Sequence, residues 1–363
     1  MYEKMAVRAA APVTIKDISA RLNVSSVSVH RALSGKEGVS DQLRARVLNT
    51  AREMGYEVNY AAASLKRKAC RVAVVLPQDD DLYFAYIWKG LRSRIQELKG
   101  LNVVVDGFVC RDEADQAELL RHVADAGEHA GVITFSFTRM PDALMQMQRL
   151  IAQKVAVVVI DDEIRSPEGL YCIPVNAPTI GRVAGEFIGM ITPGEGTVLV
   201  TSGRTDSDAH VQKVEAVRAH LAEQKPGLRV QVIPSTYWLP QAAESTFEAA
   251  LRALRTQDIA ACYALTARDN LPLAEAVEKA GAKGRIPVIG TDLNTGTSRL
   301  LREGRLLAVI NQAACMKGVA GLDVLVDRLV KGIEPPRRID CPIDVVLHSN
   351  LSFYERSNNK SWR

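Results

Sequence analysis

From Arg71 to about Leu347, short runs that are apolar on both faces alternate with amphipathic stretches of helical length. RVAVVLP, NVVVDGF, GVITFS and VAVVVIDD are strand-sized. Between them, AYIWKGLRSRIQEL, DQAELLRHVADA and PDALMQMQRLIAQ carry apolar residues at helical spacing. A strand apolar on both faces must be covered on both, which specifies parallel sheets wound with helices on each side. A second series begins after Thr179 with GRVAGEFIGMI, GTVLVTSG and HVQKVEAVRAHLAE and runs on to PVIGTDL and SRLLREG. Two series predict two lobes. Ligands of such sheets bind outside the carboxyl ends of the strands, here in the cleft between lobes.

Charge divides the chain differently. Residues 1–71 carry a net +7 and the remainder −3. A small basic head on a mildly acidic body suggests a polyanion-binding domain fused to something else, although a solvated basic face gives the same count. The six cysteines are scattered with no CxxC pair, so they read as buried free thiols. The six histidines show no metal spacing, and no metal or cofactor is called for. P-loop, GxSxG, HExxH and GxGxxG motifs are absent, so nothing in the chain points to an enzyme. No apolar run approaches the roughly 18–20 residues of a membrane span. Residues 1–12 read as a disordered lead-in to a cytoplasmic protein.

The head reads as three short helices. Thr14 can cap the first, with Asp17 completing a capping box, Ile15, Ile18 and Leu22 on one face, and Asn23 ending it in a left-handed turn. The stretch NVSSVSVHRAL looks β-like in its Val–Ser alternation. As a helix capped by Ser25, it buries Val29, Ala32 and Leu33, with Val24 anchoring the turn. A strand would need a partner sheet in an otherwise helical region. In the third helix Ser40 caps, Leu43, Val47, Leu48 and Ala51 form the buried stripe, and Gly55 terminates. Two helices joined by a tight turn make a helix-turn-helix whose second helix fits a major groove. Its outer face carries His30 and Arg31 for base edges or phosphates and Val27 for a thymine methyl, while Ser25, Ser26 and Ser28 can donate to phosphates. A three-helix packing module is the alternative reading of the same pattern.

The stretch TIKDISARLNVSSVSVHRALSGKEGVSDQLRARVLNTAREMGYEVN resembles the DNA-binding headpiece of the LacI/GalR family of bacterial transcription regulators, without gaps from Val13 to Leu65. The resemblance implies that Ser26 and Val27 are the main base-reading positions, followed by His30 and Arg31. Thr14 and Asn59 complete the headpiece contacts. AAASLK resembles the family's hinge helix, which folds on operator DNA and inserts a leucine into the minor groove. Leu65 stands at that position, with Lys66 beside it for phosphate attraction.

The body resembles the ribose-type periplasmic sugar-binding proteins. This resemblance implies an α/β chain with a helix-turn-helix headpiece and hinge helix, then two doubly wound parallel-sheet lobes. The expected boundaries are 13–58 for the headpiece, 59–70 for the hinge, 71–350 for the effector and dimerisation domain, and 351–363 for a polar tail. Residue by residue, Asp81, Tyr83 and Phe84 stand at ligand positions, Asp161 at a sugar-hydroxyl acceptor, and Asp162 and Lys213 where arginines are common. Trp238 stands at a stacking aromatic, Thr266 at an asparagine, and Asp292 and Gln312 match directly. The two replaced arginines and Asp81 argue against a strict ribose reader and point to an amino-bearing or differently hydroxylated ligand. Taken together, the resemblance implies a homodimeric regulator, a repressor by the family's commoner mode, whose operator affinity a sugar-like effector controls. A solute-binding protein and a regulator responding to a non-sugar corepressor are the alternatives.

Overall fold

The computed structural model describes residues 13–33, 35–56, 60, 64, 67–77, 82–135, 141–161, 170–235 and 245–358. The expected lead-in and most of the expected hinge lie outside them. The chain divides into two compact units, Met1–Ala63 and Ser64–Arg363.

The first unit holds α1 (Ile15–Leu22), α2 (Ser26–Leu33) and α3 (Asp41–Glu53). Local chemistry fixes their ends. The Thr14 backbone N–H donates to Asp17 Oδ2 at 2.7 Å and the Asp17 N–H donates to Thr14 Oγ1 at 3.4 Å, a reciprocal capping box. Asn23 takes the left-handed conformation, φ 52°, that ends α1. Ser25 caps α2, its Oγ accepting from the Ser28 N–H at 3.0 Å, and Ser40 caps α3 by accepting from the Leu43 N–H. Ile18, Val29, Ala32, Val47 and Ala51 form the core. One expectation fails: Leu48 is exposed, and Thr50 is buried instead. The buried stripe runs 43, 47, 50, 51, 54, and a residue five after Leu43 falls on the far side of a 3.6-residue helix. Arg44, on α3, donates to the carbonyl oxygens of Arg31, Ala32 and Lys36 at 3.3, 3.1 and 2.7 Å. It thereby places a positive charge at the carbonyl end of α2 and ties the turn after it to α3.

The second unit has two sheets. The first, in order β2-β1-β3-β4-β5, comprises β1 (Cys70–Pro77), β2 (Val103–Cys110), β3 (Gly131–Phe135), β4 (Ala156–Asp161) and β5 (Leu170–Pro174), all parallel. The second, in order β11-β10-β9-β8-β6-β7, comprises β6 (Glu195–Thr201), β7 (Gly227–Ile233), β8 (Ile259–Tyr263), β9 (Val288–Thr291), β10 (Ala308–Asn311) and β11 (Asp344–Leu347). Among the described residues β10–β11 is its one antiparallel pair.

Helices cover both faces of each sheet. In the first lobe α4 (Tyr83–Glu97) packs on one face, and α5 (Glu113–Ala126) and α6 (Pro141–Ala152) on the other. In the second, α7 (Ala177–Ile191) and α8 (Asp208–Gln224) oppose α9 (Thr246–Thr256), α10 (Asn270–Lys279) and α11 (Thr295–Arg302).

Two features differ from a simple succession of lobes. After β10 the chain returns to the first lobe, where α12 (Ala314–Val326) packs against α4 and buries Leu322, Val324 and Leu325. It then comes back to add β11 to the second sheet. The expected polar tail is, over Leu351–Asn358, a helix, α13. Leu351 is in the second-lobe core and Tyr354 packs against it. The cysteines are all free; Cys110, Cys172 and Cys262 are buried as expected, whereas Cys70, Cys315 and Cys341 are half-buried.

Candidate functional site

A cavity of about 630 Å³ opens between the carboxyl ends of the two sheets. Its residues end strands or begin the helices that follow: Pro77 ends β1, Phe135 ends β3, Asp161 ends β4, and Asp292 and Gln312 directly follow β9 and β10. Asp161 and Asp292 both have positive φ, 76° and 58°. Aspartate tolerates that region better than most residues, and such strain collects where a side chain must be aimed.

The first-lobe wall is a triad. Tyr83 Oη donates to Asp161 Oδ1 at 2.5 Å, and Lys317 Nζ, on α12, donates to both oxygens at 2.7 Å. Burial, then the charges of Asp161 and Asp292, raise the Tyr83 hydroxyl well above its ordinary range, so it stays a proton donor. Phe84 meets Phe135 edge-on with ring centroids 5.1 Å apart, giving the wall an apolar floor.

The second-lobe wall is a relay through an amide. Lys213 Nζ donates to Gln312 Oε1 at 2.7 Å, and Gln312 Nε2 donates to Asp292 Oδ1 and Oδ2 at 2.9 and 3.0 Å. Lys213 is buried, and burial brings its ammonium from the usual 10.5 to about 8, against the opposing pull of Asp292. Burial also raises the Asp292 carboxyl, opposed by Lys213, Gln312 and Lys317. Thr266 lines the cavity, but its hydroxyl donates to Asp269 Oδ2 at 3.0 Å. Asp269 also accepts from Thr201 and Ser235, so it knits the ends of β6 and β7 to the turn after β8. At the rim, Arg204 of the second lobe pairs with Glu113 of the first at 3.1 Å and with Asp206 at 2.6 Å. His210 accepts the Arg204 N–H on Nδ1. Burial, then Lys213 and Arg204, lower its imidazole to about 3, so at neutral pH it is an uncharged acceptor.

Close helix packing sets both lysines. Gly90 on α4 and Gly318 on α12 let those backbones touch: a Cβ at Gly318 would lie 2.2 Å from the Ile87 carbonyl oxygen, and one at Gly90 would lie 1.9 Å from that of Cys315. Gly181 on α7 meets the Lys213 carbonyl in the same way, at 2.4 Å.

The structure therefore brings Tyr83, Phe84, Asp161, Lys213, Thr266, Asp292 and Gln312 to one cavity. Asp81, Asp162 and Trp238 lie outside the described residues. Sequence reasoning missed Lys317 and the Arg204–Glu113 pair. Lys317 carried a signal: it stands in ACMKGVAGLDVLV, a helix otherwise apolar on nearly every side, and a lysine buried there needs a carboxylate.

In the headpiece, Ser26, Val27, His30 and Arg31 are exposed together on α2, with Val27 60% exposed. The Arg31 guanidinium lies over Gly38, and a Cβ there would be 3.1 Å from it. Thr14 and Ser25 are exposed at their caps and Ser28 is half-buried. Asn59, Leu65 and Lys66 lie outside the described residues.

This geometry defines a two-lobed α/β binding body with a polar interlobe cavity, in one chain with a helix-turn-helix. The model of the periplasmic binding protein domain matches residues 72–333, and that of the bacterial regulatory proteins, lacI family, matches 14–59. Over its body the chain belongs to the periplasmic binding protein domain family, and residues 14–59 form a helix-turn-helix domain of the lacI family. It is 28% identical over 177 residues to the HTH-type transcriptional regulator GntR of Pseudomonas aeruginosa, covering 48% of this chain and 49% of that one. It is 23% identical over 268 residues to catabolite control protein A of Streptococcus mutans, covering 71% and 74%. The match with GntR thus spans about half the length of that relative. Among solved structures, GanP, a glucose-galactose binding protein from Geobacillus stearothermophilus, superposes with a TM-score of 0.67 at 21% identity, over 78% of this chain and 99% of that one. A solute-binding protein from Burkholderia graminis in complex with D-arabinose gives 0.69 at 19%, over 78% and 97%. At these identities the likeness concerns the fold.

Proposed function

We propose that the protein is a DNA-binding transcriptional regulator, a repressor, whose operator affinity is set by a sugar-like molecule held between the lobes. The observation that carries this reading is the pairing in one chain of an exposed Ser26–Val27–His30–Arg31 face with an interlobe cavity lined by Tyr83, Asp161, Lys213, Asp292 and Gln312. Relatives named as transcriptional regulators and a sugar-binding fold support both halves. Residues 13–58 act as the DNA reader, 59–70 as the hinge, with Asn59, Leu65 and Lys66 as its DNA contacts, and 71–350 as the effector and dimerisation domain. Asp81, Asp162 and Trp238 extend the ligand set. The chain acts in the cytoplasm as a homodimer on a pseudo-palindromic site and catalyses no reaction. Ligand shifts the lobes between two states with different DNA affinity.

Selection of bound sequences from random duplexes tests the DNA half. The full chain is expected to enrich a two-fold symmetric site; no enrichment would reject the assignment. Arg31→Ala should weaken binding to that site by about 1–3 kcal/mol while ligand binding persists, as read by gel-shift titration. A ligand that strengthens DNA binding would make the regulator corepressed rather than induced.

The cavity also carries a pH signature. The Lys213 ammonium is held to about 8 in the folded chain against 10.5 outside it. A group lowered in this way costs stability below pH 8, and the cost is relieved as pH rises from about 8 toward 10.5. Ligand affinity runs the opposite way. A ligand paired with the ammonium should bind more weakly above pH 8, by at most about tenfold per pH unit, in calorimetric titrations. Lys213→Met should flatten that profile.

A further inference from the structure

The second-lobe wall holds two opposite charges that are both buried and, among the described residues, not ion-paired. Lys213 is 2% exposed and Asp292 7%. The described bond of Lys213 Nζ is to the neutral amide oxygen of Gln312 at 2.7 Å, and Asp292 accepts from the nitrogen of the same amide. Gln312 thus stands between an ammonium and a carboxylate that could otherwise have paired. The first-lobe wall is different: there Lys317 is paired directly with Asp161 at 2.7 Å. Both second-lobe charges line the cavity with capacity to spare. Lys213 has two further N–H donors; Asp292 Oδ1 also accepts the Gln312 backbone N–H at 3.4 Å, which leaves Oδ2 with the spare lone pair.

The charge sum decides what fits. Among the described residues, the ions of the cleft walls, Lys213, Lys317, Asp161 and Asp292, sum to zero. A ligand bearing only a carboxylate, or only an ammonium, would bury a net charge among them, which is costly. A neutral polyol keeps the sum at zero but offers each buried ion only another neutral partner. A ligand bearing one group of each sign keeps the sum at zero and gives each ion a charge-assisted bond. The rim does not select a net charge, because it is lined by three arginines, Arg111, Arg204 and Arg268, and three acids, Asp112, Glu113 and Asp206.

We propose that the molecule held between the lobes is a polyhydroxylated zwitterion of the amino sugar acid class, its carboxylate on Lys213 and its ammonium on Asp292. Tyr83, Asp161 and Lys317 then take the hydroxyls. This rests on reading the cleft as the ligand site.

Four open-chain six-carbon probes separate the charges: D-glucosaminate, with both groups; D-gluconate, with the carboxylate; D-glucosaminitol, with the amine; and D-glucitol, with neither. In calorimetry on the full chain at pH 7, D-glucosaminate is expected to bind about tenfold or more tightly than each of the others. Lys213→Gln should erase its advantage over D-glucosaminitol, and Asp292→Asn its advantage over D-gluconate. The melting temperature of each unliganded variant reports its folding, and the ranking in the parent chain stands without them. D-glucitol, D-gluconate or D-glucosaminitol binding as tightly as D-glucosaminate would overturn the charge assignment while leaving the cleft as a ligand site. No binding by all four overturns the charge assignment as well. If neutral pentoses and hexoses then give no melting shift either, the cleft reading falls with it.

Discussion

Asp292→Ala is expected to remove ligand binding at the cleft, with affinity falling by about 2–4 kcal/mol, roughly thirtyfold to a thousandfold. Asp292 holds the Gln312 amide through both oxygens. Without it, Gln312 is free to rotate, and Lys213 loses the carboxylate that opposes its loss of protonation. One substitution therefore unsettles the whole second-lobe wall. Stability should respond differently. Burial raises the Asp292 carboxyl above 3.8 in the folded chain, so folding favours its protonated form. Its contribution to stability is thus lost as pH rises through that window, and at neutral pH the ionised group is a cost. Asp292→Asn, which keeps a side chain suited to φ 58°, should melt at or above the parent temperature while binding ligand poorly. Asp292→Ala adds backbone strain and should melt slightly lower. Calorimetric titration and thermal melts check both. DNA binding in the absence of ligand should be retained by either variant, and an unchanged ligand response would reject the cleft assignment.

How much of this was legible in the sequence follows the range of the interactions. Thr14 with Asp17, Ser25, Ser40, Asn23 and Gly55 were readable because a cap or a turn is decided within a few residues. In α3 the type of Leu48 suggests the core, but its position on a 3.6-residue helix puts it outside, and Thr50 takes the buried place. The parallel lobes were readable from strands apolar on both faces. The return of α12 to the first lobe was not, because an apolar helix does not say which of two cores it joins. Asp161, Lys213, Asp292 and Gln312 were found through a resemblance to ribose-type binding proteins. Their mutual geometry was not, since Lys213 and Gln312 stand 99 residues apart and Lys317 and Asp161 156. The departures noted in the sequence acquire a meaning in three dimensions: with Lys213 in place of a common arginine, the wall carries a compact ammonium held off its carboxylate by an amide.

Gly318→Ala should be among the most disruptive single-methyl additions to the chain. Its Cβ would meet the Ile87 carbonyl oxygen at 2.2 Å and the Leu91 nitrogen at 3.0 Å, both backbone atoms that no rotamer change can move. The two helices must separate, as they must for Gly90→Ala against Cys315. Overpacking of this kind costs about 1–3 kcal/mol by itself. Separation also draws Lys317, the neighbouring residue, away from Tyr83 and Asp161, and a buried ammonium deprived of its carboxylate costs about 3–5 kcal/mol. A fall in melting temperature on the order of 10 °C is expected. Gly296→Ala is the matched control: it also lies in a helix, its nearest contact is Asn294 Oδ1 at 3.4 Å, and alanine improves helix propensity. It should melt within a degree or two of the parent, by about 1 kcal/mol or less. If Gly318→Ala melts with the control, the close approach of α4 and α12 is not what holds Lys317 in place. If it melts far lower and Lys317→Met restores part of the loss, the buried ammonium is the group that suffers, because methionine fills similar space without a charge to satisfy.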